Sequence, residues 1–162
     1  MSHPHVRSLE ITAAIITVST TRTKETDTSG KAIADILREK EIPITYYTIV
    51  PDTIETIRDA WFVAMQKANC IIFNGGTGLT HDDCTIEAVG PLLEKKIDGF
   101  GEFFRMKSIQ QIDTASMLSR AIAGTCRGKA VFCIPGSTPA VTLATTELIV
   151  PEIAHILSHA NR

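Results

Sequence analysis

A glycine-rich turn followed by two acidic residues is the part of this sequence whose residue types could do chemistry. The stretch NGGTGLTHDD places Gly75, Gly76 and Gly78 directly after an apolar run. Glycine permits positive φ angles and close backbone approach, so successive N–H groups can point at one anion near the start of the next helix. This predicts a phosphate-binding loop, although a plain tight turn between a strand and a helix explains the same glycines.

Carboxylates beside such a loop need a cation between them and a phosphate, because like charges repel. Asp82 and Asp83 close the stretch. Mg²⁺ commonly binds one or two carboxylates together with substrate phosphates. We therefore predict that Asp83, with Asp52 or Asp82, holds Mg²⁺. Asp83 could instead cap the helix that starts near Cys84, and Glu87 could join the site or form an ion pair with a neighbour.

Two common nucleotide-binding motifs and a zinc site are not supported. A P-loop needs glycine where the chain has Glu25 ahead of Gly30 and Lys31, and no complete G-x-G-x-x-G follows the first apolar run. His81 and Cys84 have a spacing compatible with zinc, but no second pair accompanies them. We interpret them as a loop histidine and a packed cysteine.

The elements that position these residues alternate between strands and helices. Apolar β-rich runs predict strands, and apolar residues spaced three or four apart predict helices. The order is strand ITAAIITVST, helix KAIADILREK, strand ITYYTIVPD, helix TIETIRDAWFVAMQKA, strand CIIFN, helix from about Cys84 to Lys96, helical pieces GFGEFFRMKSIQQID and TASMLSRAIAG, strand and turn KAVFCIPGSTPA, and terminal helix VTLATTELIVPEIAHILSH. Pro151 should bend that last helix or restart it.

This alternation predicts an α/β fold with a parallel sheet and helices on both faces, because parallel neighbours need crossover connections. Loops that follow parallel strands emerge together at the carboxyl edge of the sheet, where open α/β folds bind ligands. Four loops should therefore meet there, namely Ser19 to Gly30, Pro51 to Asp52, Gly75 to Asp83 and Pro135 to Ser137.

Length and composition favour one globular domain with small-molecule partners. The chain has 162 residues, of which 44% are hydrophobic and 21% charged, with a net charge of -2. No basic run indicates binding to nucleic acid or to an anionic membrane, and no apolar stretch has the length to span a bilayer. We expect a flexible tail over residues 1–10 and a single domain over residues 11–162.

The cysteines and the clustered phenylalanines have structural explanations. The four cysteines form no C-x-x-C pair and two lie in apolar runs, so we expect reduced thiols and a cytoplasmic location. Phe100, Phe103 and Phe104 should contribute to the core or to a subunit interface. The segment Gly99 to Met106 is expected to pack against another subunit.

Four motifs in order resemble the MoaB/MogA family of molybdenum cofactor biosynthesis, and most of all its MoaB branch. They are NGGTGLTHDDCTIEAV, GFGEFFRM, SMLSRAIAG and IPGSTPAV, within a resemblance that runs from about Ala14 to Leu157. The resemblance implies a three-layer sandwich around a mostly parallel sheet, assembled as a homotrimer or homohexamer. It also implies that Mg²⁺, ATP and molybdopterin react to give adenylylated molybdopterin and pyrophosphate.

The resemblance further implies roles for individual residues. The catalytic aspartate of the family falls on Asp83 and its aspartate after the second strand falls on Asp52, which with Asp82 are the expected metal ligands. The residues expected to bind nucleotide or pterin are Ser19, Thr20, Gly75, Gly76, Thr77, Gly78, Ser119, Arg120, Gly136 and Ser137.

Two departures from the family pattern keep other functions open. Many adenylyltransferases of the family have Ser-Asp where this chain has Ser19 and Thr20, and often an arginine where it has Asp82. The second hypothesis is therefore a non-catalytic molybdopterin-binding or assembly protein of the same pathway. The third is an unrelated flavodoxin-like domain that binds a nucleotide or carries out redox chemistry.

Overall fold

Six strands form one sheet in the computed structural model, which describes residues 9–162. The strands are β1 (Ala13–Val18), β2 (Ile44–Val50), β3 (Cys70–Asn74), β4 (Lys95–Lys96), β5 (Ile122–Cys126) and β6 (Lys129–Ile134). Their order is β2-β1-β3-β6-β5-β4. The pairs β2–β1, β1–β3 and β3–β6 are parallel, whereas β5 is antiparallel to β6 and β4 is antiparallel to β5. The predicted tail falls largely on residues 1–8, outside the described part of the chain.

Helices cover both faces of this sheet. They are α1 (Thr28–Glu39), α2 (Ile54–Lys67), α3 (Thr85–Val89), α4 (Asp98–Ile112), α5 (Thr138–Ala144) and α6 (Val150–Ala160). Buried side chains of α1, α4, α5 and α6 share one hydrophobic cluster, and those of α2 and α3 share the other. The predicted three-layer α/β sandwich, with a mostly parallel sheet and helices on both faces, is confirmed.

Alternation along the central strands explains the two clusters. In β3, Cys70 and Ile72 face the first cluster, whereas Ile71 and Phe73 face the second. Because successive strand residues point to opposite faces, a strand covered on both sides reads as a continuous apolar run. That is why CIIFN could be identified as a buried strand from its sequence.

Two of the predicted helices are much shorter in the structure than the sequence predicted, and both stretches lead into strands. The helix expected to reach Lys96 ends at Val89 and continues only as a 3₁₀ turn over Gly90–Leu92, with Pro91 in that turn, before β4 begins. The stretch TASMLSRAIAG forms a 3₁₀ segment over Asp113–Leu118 and then enters β5. Glycine and proline disfavour continuation of the first helix.

Tertiary pairing explains why the second of these stretches becomes a strand. Ala123 and Gly124 pair with Phe132 and Val131 of β6. The two strands are joined at Arg127 and Gly128, whose φ angles are 50° and 76°, as a two-residue hairpin turn requires. Alanine favours helices in isolation, but burial between two neighbouring strands outweighs that weak preference.

The terminal helix is restarted at Pro151. Residues Thr145–Ile149 form a π-helical turn between α5 and α6, and Pro151 lies in the first turn of α6, where a missing N–H costs little. The joined run Thr138–Ala160 is long and apolar enough to cross a membrane by length and composition, so the prediction that no apolar stretch has this length is wrong. Core helices of soluble proteins meet the same criterion, and Ile149, Ile153 and Leu157 are buried against the sheet.

Candidate functional site at the carboxyl edge

The four predicted loops meet at the carboxyl edge of the parallel strands. Thr20 Oγ1, after β1, donates a hydrogen bond to Asp52 Oδ2, after β2, at 2.8 Å. A Cβ added at Gly76, after β3, would lie 3.4 Å from Asp52 Oδ1. A Cβ added at Gly136, after β6, would lie 3.1 Å from the Cα of Gly75. The predicted convergence of these loops is therefore confirmed.

The glycine loop is held against the first residue of α3. Gly75 and Gly76 have φ angles of 100° and 71°, which only glycine adopts readily. Thr85 Oγ1 donates to the Gly75 carbonyl at 2.7 Å, and Thr85 N donates to the Gly76 carbonyl at 3.1 Å. A Cβ at Gly76 would overlap Thr85 Oγ1. Both the backbone conformation and the close approach require glycine at this position.

Asp83 closes the turn after the glycines and does not cap α3. The N-cap residue of that helix is Cys84, which makes no capping hydrogen bond through its side chain. Asp83 Oδ2 instead accepts hydrogen bonds from Thr80 N at 3.0 Å and Thr80 Oγ1 at 2.8 Å. A Cβ at Gly78 would lie 2.7 Å from the same oxygen. The carboxylate is thus held against the glycine loop, and the capping alternative is wrong.

Glu87 forms the ion pair that was one of its two predicted roles. Arg120 Nη1 donates to Glu87 Oε1 at 2.5 Å, and this hydrogen bond lowers the pKa of Glu87 from its ordinary value. The Nε and Nη2 atoms of Arg120 both donate to the Gly78 carbonyl, at 3.0 and 2.7 Å, and its backbone N donates to the Thr77 carbonyl at 3.2 Å. Arg120 therefore fixes the glycine loop from the side of β5.

A cavity of about 850 Å³ opens beside this loop. Its polar wall contains seven of the predicted site residues, Gly76, Thr77, Gly78, Asp83, Ser119, Gly136 and Ser137. Its apolar wall includes Phe104, Ile112, Leu118, Pro139 and Ala140. This combination suits a ligand that carries both a phosphate and a ring system.

The predicted metal ligands do not form a complete site by themselves. Over residues 9–162, no group of three or more His, Cys, Asp or Glu side chains is placed to hold a metal ion. Burial, followed by the negative charges of Asp52, Glu87, Asp83 and Asp82, raises the pKa of the Cys84 thiol. Asp82 is exposed and Asp83 is half-buried. A hard cation here would complete its shell with phosphate oxygens or water.

Comparison with known proteins identifies the family. Residues 14–155 match the family described as "Probable molybdopterin binding domain". Molybdenum cofactor biosynthesis protein B of Bacillus cereus is 47% identical over 156 residues, which cover 94% of this chain and 92% of that protein. The chain belongs to the MoaB/MogA family. The hypothesis of an unrelated flavodoxin-like domain is therefore wrong.

Solved structures of the MoaB/MogA family share the fold over nearly their whole length. The crystal structure of a molybdenum cofactor biosynthesis protein B superimposes with a TM-score of 0.91 at 46% identity, covering 95% of this chain and 98% of that one. The tungsten cofactor synthesizing protein MoaB from Pyrococcus furiosus gives a TM-score of 0.84 at 37% identity, with 94% and 98% coverage.

One charged residue next to the site of this MoaB/MogA protein was missed by the sequence analysis. Asp27 is 0% exposed and caps the first turn of α1 by accepting a hydrogen bond from Gly30 N at 3.0 Å. Burial opposes its ionisation, but hydrogen bonds from Tyr47 and Thr17 outweigh burial, and the pKa of Asp27 is lowered. The available signal was an aspartate three residues before Gly30 at a helix start, inside a segment that was taken only as a loop.

Replacing Gly76 by alanine tests the geometry of the glycine loop. Gly76→Ala should lower the free energy of unfolding by about 1–3 kcal/mol, because it places a side chain at positive φ against Thr85. The matched control is Gly99→Ala in α4, where an added Cβ has no neighbour within 4 Å. That change should stabilise the protein by about 0.4–1 kcal/mol. Urea denaturation measures both, and equal effects would contradict the assigned geometry.

Proposed function

We propose that this protein adenylylates molybdopterin with Mg-ATP during molybdenum cofactor biosynthesis and releases pyrophosphate. The observation that carries the proposal is the Asp83 carboxylate, which Thr80 holds against the glycine loop in the wall of the cavity. Membership of the MoaB/MogA family supports the pathway. We place the protein in the cytoplasm, a reducing compartment that suits its four free cysteines.

The reaction is a displacement at the α-phosphorus of ATP. An oxygen of the phosphate monoester of molybdopterin attacks the α-phosphorus and forms the new P–O bond. The bond between the α-phosphorus and the oxygen that it shares with the β-phosphate breaks, and pyrophosphate leaves with the electron pair of that bond. Because a phosphate monoester is largely ionised at neutral pH, no base is needed to remove a proton. The protein must instead align two anions that repel each other and stabilise the charge on the leaving group.

The residues at the carboxyl edge fit that task. The N–H groups of Gly76, Thr77 and Gly78, which line the cavity, can donate to phosphate oxygens, and Ser137 presents a hydroxyl at the cavity wall. Asp83 and Asp52 are the residues that would hold Mg²⁺, and the ion would offset the charge of the phosphates. Arg120 acts by holding Gly78 and Thr77 in place.

The second candidate is a molybdopterin-binding or assembly protein without catalysis. The exposed Asp82 favours it, because this position often carries an arginine in adenylyltransferases of the family and a carboxylate reverses the local charge. Both candidates bind molybdopterin. Only release of pyrophosphate from ATP in the presence of molybdopterin distinguishes the first from the second.

The substitution Asp83→Asn tests the catalytic assignment. Turnover should fall by roughly 10²–10³-fold, because the charge that would position the cation is lost while a half-exposed loop residue contributes little to the core. Pyrophosphate release and circular dichroism should be measured together. Asp59→Asn, an exposed aspartate on α2, is the control and should keep full activity. Near-normal turnover of Asp83→Asn would remove this residue from the chemistry.

Cation removal and His81→Ala test the proposed mechanism. Activity should be lost in a chelator and recover with added Mg²⁺, because the proposed ion would offset the charge of the phosphates. His81 is exposed, and its replacement should reduce turnover within about tenfold, compared with the ~10²–10⁴ typical of a general acid or base. Pyrophosphate release reports both effects. Full activity in chelator, or a loss near a thousand-fold for His81→Ala, would overturn the mechanism.

Assembly is predicted from the outer surface of α4. Phe100 and Phe104 are buried in the core, but Phe103, Met106 and Ile109 are 54%, 57% and 51% exposed on that helix. An apolar stripe of this kind marks a protein interface, and we propose a homotrimer or homohexamer of the 17.6 kDa chain. Light scattering gives the mass directly.

Charged substitutions on two helices test which surface assembles. Phe103→Asp combined with Met106→Asp should reduce the mass to that of a monomer, because charge is costly in an apolar interface. Phe62→Asp on α2, where the side chain is 60% exposed, should leave the mass unchanged. A wild-type monomer at micromolar concentration would contradict the prediction.

A further inference from the structure

The buried carboxylate of Asp27 is adjacent to the loops of the site, although none of the proposed catalytic steps uses it. Its side chain is 0% exposed, and it lies at the start of α1. We propose that Asp27 is a positioning residue that holds the loop after β1 and the corner at Asn74 and Gly75 in the arrangement that binds substrate phosphates.

Donors from three segments of the chain surround this carboxylate. From β1, Thr17 Oγ1 donates to Oδ2 of Asp27 at 2.7 Å, and the Tyr47 hydroxyl from β2 donates to the same oxygen. From α1, Gly30 N donates to Oδ1 at 3.0 Å, with Ser29 Oγ at 3.3 Å from that oxygen. An added Cβ at Gly30 would overlap Oδ2 and lie 2.6 Å from the Tyr47 hydroxyl, so a glycine is needed for this packing.

One connection runs from Asp27 to the glycine loop. Thr17 Oγ1, which donates to Asp27, accepts a hydrogen bond from Asn74 Nδ2 at 3.0 Å. Asn74 Oδ1 accepts from Ser29 Oγ at 2.9 Å. Asn74 is 0% exposed and directly precedes Gly75. The side chain at the beginning of the glycine loop is therefore fixed on both of its polar atoms by the residues around Asp27.

A second connection runs from Asp27 to the loop after β1. Arg22 Nη1 lies 3.6 Å from Asp27 Oδ1, and the same atom donates to Ser29 Oγ. Arg22 N donates to Ser19 Oγ at 3.1 Å. The next residue, Thr20, is the one that reaches Asp52. Asp27 thus restrains the loop after β1 as well as the start of the glycine loop.

The charge of Asp27 is what makes these restraints specific. A buried carboxylate is tolerated only when its oxygens are hydrogen-bonded or paired with a cation, and here they are. An amide in its place keeps the shape but turns one acceptor into a donor. That donor would face the Thr17 and Tyr47 hydroxyls or the Gly30 N–H, and the loops would shift to relieve the unsatisfied groups.

Hydrogen exchange in the absence of ligand tests the effect on the loops. In Asp27→Asn and in Tyr47→Phe, amides of residues 19–26 and 74–78 should exchange about tenfold faster, whereas those of α2 should not change. The controls are Asp35→Asn, an exposed aspartate on α1, and Tyr46→Phe, the neighbouring tyrosine of β2. Both controls should exchange at wild-type rates.

Substrate affinity tests the functional part, which rests on the proposed function. The dissociation constant of Mg-ATP should rise about tenfold in both variants, and the KM should rise with it while kcat stays within about threefold. A purely structural role would lower the unfolding temperature and leave both loop exchange and affinity unchanged.

The outcomes separate this proposal from the proposed function. Wild-type exchange in the loops of both variants overturns the positioning role. Faster loop exchange in a protein that binds no Mg-ATP even as wild type confirms that Asp27 orders the loops and refutes the proposed function instead. If Asp27→Asn does not fold, Tyr47→Phe decides, because it removes one donor and keeps the carboxylate.

Discussion

The fold places an ionisable side chain, Asp27, where water does not reach it, and that constraint governs the edge of the sheet around it. A carboxylate in such a place is stable only if several chain segments bring donors to it at once. The end of β1, the middle of β2 and the first turn of α1 must therefore be correctly placed relative to one another before the carboxylate is satisfied. The two strands, the first turn of α1 and the loop between β1 and α1 are therefore coupled through one hydrogen-bond network.

Much of the fold could be predicted because the residue pattern of the central strands indicates that both of their faces are buried. The strand β3 is buried on both faces, so its residues Cys70 to Phe73 form a continuous apolar run, which is typical of a strand covered on both sides. Alternation with amphipathic helices then implies parallel pairing, and parallel pairing places the loops at one edge. The placement of the loop from Gly75 to Asp83 at the carboxyl edge was predicted by this reasoning, without knowledge of any side-chain contact.

The rest could not be predicted because it depends on contacts between distant segments. The short strand β5 contains Ala123 and Gly124, whose local preferences do not indicate a strand, and only pairing with β6 makes it one. Asp27 looked like one more polar residue of a Thr-rich loop, because its burial depends on the distant neighbours Tyr47 and Thr17 that hydrogen-bond to it. Residues that position a site are harder to identify from a sequence than residues that contact its ligand, because they do not form a recognisable motif.

The outer edge of the sheet beyond β5 is the two-residue strand β4, formed by the exposed Lys95 and Lys96. Its flanking residues are already engaged, since Glu94 N and Ile97 N donate to carbonyls of β5 at 2.9 and 2.8 Å. A foreign strand that approached this edge would meet two positive charges and a very short row of backbone groups. Strand addition by another copy of the chain is therefore disfavoured at this edge of the sheet.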